Sequence, residues 1–231
     1  MIYESELLDS KELSRINSYF DDAPTKPGLV KRDGKHQVNP DVKDNHIIQQ
    51  TSPQFRKCLD VVQTAMRNNE EFTSVYIFKE LTVPIFAEYR TGGFYNKHID
   101  DVTISGIKTH HSISIFLTEP DEYEGGELML SVGDQSVPFK PKAGNALVYP
   151  TGLIHHVNPV TSGKRRVVIL WATSIIDETF LRYQLIAQST ATLAAMKACP
   201  DAPVDTFLPF EQIRANFIRE YGDLRPNVNQ S

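Results

Sequence analysis

Two stretches near the middle of the chain decide the fold class, because apolar side chains alternate along both. They read Val83-Pro-Ile-Phe-Ala-Glu-Tyr89 and Ile113-Ser-Ile-Phe-Leu117. Alternation with a period of two is typical of β-strands that bury one face. Residues 167–171 form an apolar run that we also interpret as a strand.

Turn sequences separate seven or eight short strands that fit between residues 75 and 175. Gly125 and Gly126 form one such turn, and they precede a strand, whereas a phosphate-binding glycine loop would precede a helix. The pattern predicts a mainly β core, an antiparallel double-stranded β-helix (jelly roll).

The segment before the core shows a helical period. Ser10 and Ser52 are predicted to cap two helices, of which the second begins with Pro53. Residues 21–51 between them are polar and show no period, so we predict a long loop. Residues 1–74 are thus expected to be N-terminal helices and a long polar loop packed on a core of residues 75–176.

A helical period returns after the core. Asp177 can cap one helix, and Pro209 can open another. The second helix places apolar residues on one side, namely Phe210, Ile213, Phe217 and Tyr221. Residues 177–231 are therefore predicted to be a C-terminal helical extension that packs on the core or forms a homodimer contact.

Composition limits the class of protein. The 231 residues are 40% hydrophobic with a net charge of −5, which suits a globular protein and argues against nucleic acid as a partner. The longest apolar run is too short to span a membrane, and the first residues lack a signal-peptide pattern, so we expect a cytoplasmic protein without membrane contact. Cys58 and Cys199 are expected to be ordinary thiols.

A histidine and an aspartate two residues apart suggest a metal site. His98 and Asp100 should point to one face if both lie on one strand. His155 or His156, near the end of the strand region, could supply a third ligand. Two imidazoles and one carboxylate are the facial triad that suits non-haem Fe(II) and dioxygen.

An arginine strengthens this interpretation. Arg165 follows His155 by ten residues and leads into the apolar run, where a buried guanidinium requires a carboxylate partner. A dicarboxylate co-substrate would provide that partner. His110 and His111 are a weaker metal candidate, because adjacent residues on a strand face opposite ways.

Four ordered motifs carry a family resemblance. They are residues 89–100, the strings Ser114-Ile-Phe-Leu-Thr and Tyr123-Glu-Gly-Gly-Glu-Leu, and residues 149–165, which end in Arg165. With these motifs the chain resembles the iron(II)/2-oxoglutarate dioxygenases of the prolyl and lysyl hydroxylase type, and among them the bacterial PKHD-type hydroxylases.

The resemblance implies roles for individual residues. His98, Asp100 and His155 would bind Fe(II), and Arg165 would bind the distal carboxylate of 2-oxoglutarate, with O2 as the oxidant. Tyr89 would reach the co-substrate, and Tyr95 the substrate. Some relatives carry a tyrosine for the distal carboxylate on the 113–117 strand. Here Ile115 and Phe116 stand there, so that contact must come from elsewhere.

The resemblance also implies an activity: hydroxylation of an aliphatic C–H bond with release of succinate and CO2. We expect the substrate to be a prolyl residue or a proline-like small molecule, with Phe94 and Tyr95 near the mouth of the site. A cupin-type metal enzyme that does not use 2-oxoglutarate and a non-catalytic jelly-roll binding module are the alternatives. The substrate partner would be a peptide or a small molecule.

Overall fold

A computed structural model describes residues 1–32 and 34–224. The strands are β1 (Tyr3–Glu6), β2 (Thr25–Pro27), β3 (Val30–Arg32), β4 (Lys35–Gln37), β5 (Lys43–Asp44), β6 (His46–Ile48), β7 (Phe78–Leu81), β8 (Ile85–Arg90), β9 (Phe94–His98), β10 (Thr103–Ile104), β11 (Ile107–Lys108), β12 (His111–Phe116), β13 (Tyr123–Gly125), β14 (Leu128–Val132), β15 (Gln135–Phe139), β16 (Asn145–Pro150), β17 (His155–Val157) and β18 (Val160–Ser174). The helices are α1 (Ser10–Asp21), α2 (Pro53–Asn68), α3 (Thr179–Ala198) and α4 (Leu208–Tyr221), with short helical turns at Glu71–Val75 and Val204–Phe207.

Two antiparallel sheets form the core. In the described residues the larger sheet has nine strands, in the order β1-β16-β12-β18-β8-β6-β2, with β7 and β13 also paired to β18. The smaller sheet has the order β15-β14-β17-β9-β5. This arrangement confirms the predicted jelly roll with helices at both ends of the chain.

The larger sheet is buried on both faces. Along β8, Phe86 packs into the core on the helical side, whereas Ala87 and Tyr89 pack between the two sheets. Such strands need apolar side chains on both sides, which explains the continuous run in β18. Val83 does not join β8; it precedes the strand and is exposed.

The N-terminal helices cover the outer face of the larger sheet. Ile16 and Phe20 of α1 and the apolar face of α2 are buried there, as predicted. Ser52 caps α2 through its hydroxyl, as predicted. The cap of α1 is Asp9 and not Ser10, because Asp9 and Glu12 together form a capping box.

The predicted loop 21–51 contains strands. β2 and β6 extend the larger sheet next to β8, and β5 extends the smaller sheet next to β9. These strands have two or three residues each, so they are too short to show a period and are held by pairing to a sheet edge. The first 48 residues therefore supply strands to both sheets, so the core extends beyond residues 75–176.

The C-terminal helices pack less tightly than expected. α3 starts after Glu178, which caps it in place of Asp177, and it buries Leu185 and Ile186. On α4 the predicted apolar stripe is largely exposed, with Phe210 44% and Ile213 55% accessible, whereas Phe217 and the neighbouring Ile218 pack against the core. Residues 225–231 of the predicted extension lie outside the described residues. Among those described, no helix is both long and apolar enough to cross a membrane.

Candidate active site

Three predicted ligands meet between the two sheets. The ligand atoms of His98, Asp100 and His155 lie within 4.8 Å of one another, and this is the one such group in the described part of the chain. His98 and His155 are direct partners across β9 and β17. Asp100 is not on the same strand as His98, because β9 ends at His98. It lies two residues beyond the end of β9, and its carboxylate lies beside the two histidines.

Backbone carbonyls orient both imidazoles. His98 Nδ1 donates to the carbonyl of Asn96 at 2.8 Å, and His155 Nδ1 donates to that of Leu153 at 2.9 Å. Each Nε2 is thereby left as the free acceptor, and each points at the Asp100 carboxylate, at 3.5 and 3.6 Å. This is the orientation that a metal-binding histidine requires.

Two side chains that the sequence did not indicate hold Asp100. Trp171 Nε1 donates to Asp100 Oδ2 at 2.8 Å, and the Ser112 hydroxyl donates to the same oxygen at 2.9 Å. Burial raises the pKa of Asp100, but the histidines and Trp171 outweigh that effect and lower it. The carboxylate is therefore ionised, with Oδ1 on the side of His98.

His156 faces away from the site. It pairs in register with Met129 of β14 and lies outside the residues that line the cavity. Between the two histidines that the spacing left open, only His155 contributes to the cluster.

Arg165 is the most unusual side chain of the site. It is 2% exposed, and its Nε and Nη1 have no hydrogen-bond partner among the described residues. Its guanidinium lies over the rings of Tyr89 and Phe116, at 5.1 and 5.3 Å from the centroids. A buried unpaired cation is unfavourable, so this group needs an anionic partner.

Other buried polar atoms near Arg165 also have no partner in the described residues. They include the hydroxyls of Tyr89 and Tyr123 and both amide atoms of Asn45. Burial raises the pKa of both phenols, although the charge of Arg165 opposes the shift, so the hydroxyls remain protonated donors. Phe116 has no hydroxyl group, so it contacts Arg165 only with its ring, as the absence of a tyrosine from that strand predicted.

Of the two aromatic residues predicted at the mouth of the site, Tyr95 lines the cavity. Tyr95 stacks on His98, with 3.6 Å between the ring centroids, and it lines the cavity. Phe94 does not line it, because neighbouring residues on a strand point to opposite faces. The prediction that both aromatics stand at the mouth is therefore wrong for Phe94.

The adjacent histidines at the start of β12, His110 and His111, do not form a second metal edge. His110 contacts Asp177 at 3.0 Å and accepts the Ser174 N–H, whereas His111 packs between Phe78 and Tyr183. Burial lowers the pKa of His110 to about 4 and that of His111 to about 3.

One cavity of about 530 Å³ connects these groups. Its lining includes the three predicted ligands, Arg165, Tyr89 and Tyr95, together with Lys43 from β5. Lys43 lies in the segment that was predicted to be a loop, so no local sequence pattern indicated it. A cavity of this size is typical of a small-molecule site.

Comparison with known proteins assigns the class. Residues 84–173 match the family model described as the 2OG-Fe(II) oxygenase superfamily. The match spans β8 to β18 and so includes every predicted ligand and Arg165.

Individual relatives narrow the assignment. The chain is 34% identical over 163 residues to a PKHD-type hydroxylase of Colwellia psychrerythraea, covering 69% of this chain and 72% of that protein. It is 31% identical over 228 residues to one of Thioalkalivibrio sulfidiphilus, covering 95% and 97%. The chain therefore belongs to the PKHD-type hydroxylases of the 2OG-Fe(II) oxygenase superfamily and is a hydroxylating dioxygenase.

A solved structure shares the fold. It is a prolyl hydroxylase from Trichoplax adhaerens in complex with a hypoxia inducible factor peptide, with a TM-score of 0.59 and 16% identity. The alignment covers 75% of this chain and 83% of that one.

The residues present fit the cofactors of the family, which are Fe(II), 2-oxoglutarate and O2. Two imidazoles and one carboxylate are a suitable donor set for Fe(II). Arg165, buried with unpartnered nitrogens, fits the anionic end of 2-oxoglutarate.

Proposed function

We propose that the protein hydroxylates an aliphatic C–H bond of a prolyl residue or a proline-like molecule and releases succinate and CO2. The observation that carries this proposal is the placement of the ligand triad and the unpaired Arg165 in one cavity. Bound iron supplies the dioxygen chemistry that oxidises 2-oxoglutarate and the C–H bond.

In this proposal His98, Asp100 and His155 hold the metal. Their side chains are preset by Asn96, Leu153, Trp171 and Ser112 before any metal binds. With three protein ligands, a bound Fe(II) would keep its remaining positions for the co-substrate and dioxygen.

Arg165 binds the distal carboxylate of 2-oxoglutarate through its paired N–H donors. Tyr89, its register partner on β8, adds a hydroxyl donor. Ala87, Leu128 and Val157 pack around these groups and exclude water, which strengthens the charge-assisted contacts.

Tyr95 forms the substrate wall. Its ring stacks on His98 and Lys43 stands over the ring, so a substrate contacts Tyr95 at its edge, beside the metal ligands. An aromatic side chain suits a proline ring because it offers apolar contact without requiring a hydrogen-bond donor. The likeness in fold to a prolyl hydroxylase supports the same choice of substrate.

We also propose that nucleic acid is not a substrate of the protein and that the protein acts in the cytoplasm. The net charge of −5 disfavours a phosphate backbone. Cys58 and Cys199 are free thiols, the state expected in a reducing compartment. Cell fractionation tests the location, and the assay described next tests the substrates.

The test is succinate formation from 2-oxoglutarate with Fe(II), measured with free proline, prolyl peptides, free lysine and single-stranded oligonucleotides. Mass spectrometry of each candidate follows the gain of one oxygen. We expect stimulation and oxygen gain only with the proline-containing compounds. Oxygen gain on the oligonucleotide or on lysine alone would contradict the proposed substrate.

A further inference from the structure

Lys43 is a cation in the cavity that the proposed chemistry does not use. It lies on β5, in register with Tyr95 of β9, and its Nζ stands 4.4 Å from the centroid of the Tyr95 ring. Because the same ring stacks on His98, Lys43 is one aromatic ring away from a predicted metal ligand. Its amine is thus next to the position proposed for the substrate.

Lys43 has no anionic partner in the described part of the chain. Lys31, another lysine of the cavity lining, is paired with Asp101 at 3.0 Å, whereas no salt bridge among the described residues involves Lys43. Burial lowers the pKa of Lys43 to about 8, and the charge of Asp100 opposes that shift. The amine is therefore partly desolvated without the compensation that an ion pair provides.

The negative charge of 2-oxoglutarate does not compensate the positive charge of Lys43, because other charged groups of the site already balance it. The charges of Fe(II), Asp100, Arg165 and the 2-oxoglutarate dianion cancel, and Lys31 is neutralised by Asp101. Lys26, which also lines the cavity, is exposed to solvent, so the positive charge left over at a partly buried position when metal and co-substrate are bound is that of Lys43. A substrate with one negative group would neutralise it.

The fold holds Lys43 in place. Gly28 lies against the stem of Lys43: a Cβ at residue 28 would stand 3.3 Å from Lys43 Cε and 1.9 Å from Asn45 Oδ1. Glycine at this position therefore leaves room for Asn45 and for the lysine stem. Tyr95 contacts the amine from the other strand, so the charge is positioned before substrate arrives.

We propose that Lys43 binds a carboxylate of the substrate, and that the substrate is a free proline-like acid and not an internal prolyl residue of a peptide. This inference rests on the proposed function and selects between its two substrate classes. An internal prolyl residue carries an amide where a free imino acid carries a carboxylate. Lys43 is thus a specificity-determining residue: its amine binds the acid while the edge of Tyr95 contacts the ring of the substrate.

The test compares acids with their amides. Succinate formation is measured with L-proline against L-prolinamide, with L-pipecolate against its amide, and with a prolyl peptide blocked at both ends. We expect the acids to have KM values about tenfold or more below those of the amides, the discrimination typical of a charge-assisted contact.

Three variants assign that preference to Lys43. Lys43→Met should raise the KM for the acids about 10- to 100-fold while the KM for the amides and for 2-oxoglutarate stays within about twofold. Lys43→Arg should restore part of the preference. Lys35→Met, which removes a positive charge from exposed β4 outside the cavity, should match the unchanged protein.

A second readout needs no turnover. Calorimetry of L-proline with the Mn(II)-loaded protein and 2-oxoglutarate should show binding that Lys43→Met weakens and Lys35→Met does not. If Lys43→Met does not fold, Lys43→Arg and the acid-to-amide comparison in the unchanged protein still decide the question.

Four results would overturn the inference. The first is equal KM values for acids and amides, the second is a rise in the KM for 2-oxoglutarate alone in Lys43→Met, and the third is stimulation by the blocked peptide alone. Each of these three results leaves the proposed hydroxylation standing. Absence of stimulation by every proline-like compound is the fourth, and it would overturn the proposed substrate as well.

Discussion

Arg165 and Arg166 are neighbours on β18 that meet opposite environments. Arg166 donates to Glu88 at 2.8 Å and to Asp21 at 2.5 Å, whereas Arg165 faces the cavity without a carboxylate among the described residues. The alternation of a strand separates the two side chains onto opposite faces of the larger sheet. One arginine thus stabilises the fold, and the other is available to a ligand.

The two arginines should respond differently to the same substitution. Arg165→Met should raise the KM for 2-oxoglutarate about 10- to 100-fold and leave the metal-free protein as stable or more stable, because an unpaired buried charge is removed. Arg166→Met should lower the free energy of unfolding by about 3 kcal/mol, because Glu88 and Asp21 lose a partner. Kinetics and urea unfolding measure both effects, and an unchanged KM in Arg165→Met would contradict the assignment.

The adjacent histidines provide a second comparison at this scale. His155→Ala should weaken binding of Fe(II) or Mn(II) by about 100-fold or more, since it removes a ligand. His156→Ala should leave metal affinity within about threefold, because this side chain lies outside the cavity. Calorimetric titration with Mn(II) measures both, and the reverse order would show that the ligand choice is wrong.

At the scale of elements, β12 carries a buried histidine into the core. His111 is 1% exposed, and its Nε2 has no hydrogen-bond partner among the described residues. Burial lowers its pKa to about 3 from an ordinary value of 6.5. Between pH 3 and pH 6.5, His111 therefore binds a proton in the unfolded chain but not in the folded chain.

This difference gives the stability a pH dependence of definite sign. The contribution of His111 is fully present above pH 6.5 and is lost as the pH falls toward 3, at a maximum slope of about 1.4 kcal/mol per pH unit. His110, with a pKa of about 4, acts in the same direction. His111→Leu should therefore reduce the acid slope of urea stability without abolishing it, and an unreduced slope would contradict this account.

At the scale of the whole molecule, the C-terminal helices join the core unequally. α3 contributes Leu185, Ile186 and Leu193 to the main core, and Arg182 donates to the carbonyl of Ile176 at 3.0 Å. Removal of residues 177–231 should expose that part of the core and yield insoluble protein. Recovery of a soluble, fully active truncated protein would show that the extension is dispensable.

The exposed stripe of α4 leads to a separate prediction. Phe210, Ile213 and Tyr221 are each more than 40% accessible and lie on one helix. We propose that a second copy of the chain covers this face, so light scattering should give the mass of a dimer. The double substitution Phe210→Ser and Ile213→Ser should give a monomer that retains metal binding. A monomeric unchanged protein would contradict the proposal.

Local patterns were sufficient to predict much of this protein. The alternation along β8 and β12 predicts strands because successive side chains point to opposite faces of the sheet, and the two faces meet different surroundings. Ser52 with Pro53 predicts the start of α2 because capping involves only neighbouring residues. His98, Asp100 and Arg165 stand out because each is a polar residue close to an apolar strand.

Only the tertiary structure decided the rest. The short strands β2, β5 and β6 exist because they pair with distant sheet edges, and Lys43 reaches the cavity only through that pairing. Asp100 joins the histidines through the chain beyond β9, and Trp171 and Ser112 hold it from strands 71 and 12 residues away. Such contacts join residues far apart in the chain, so no local pattern of side chains records them.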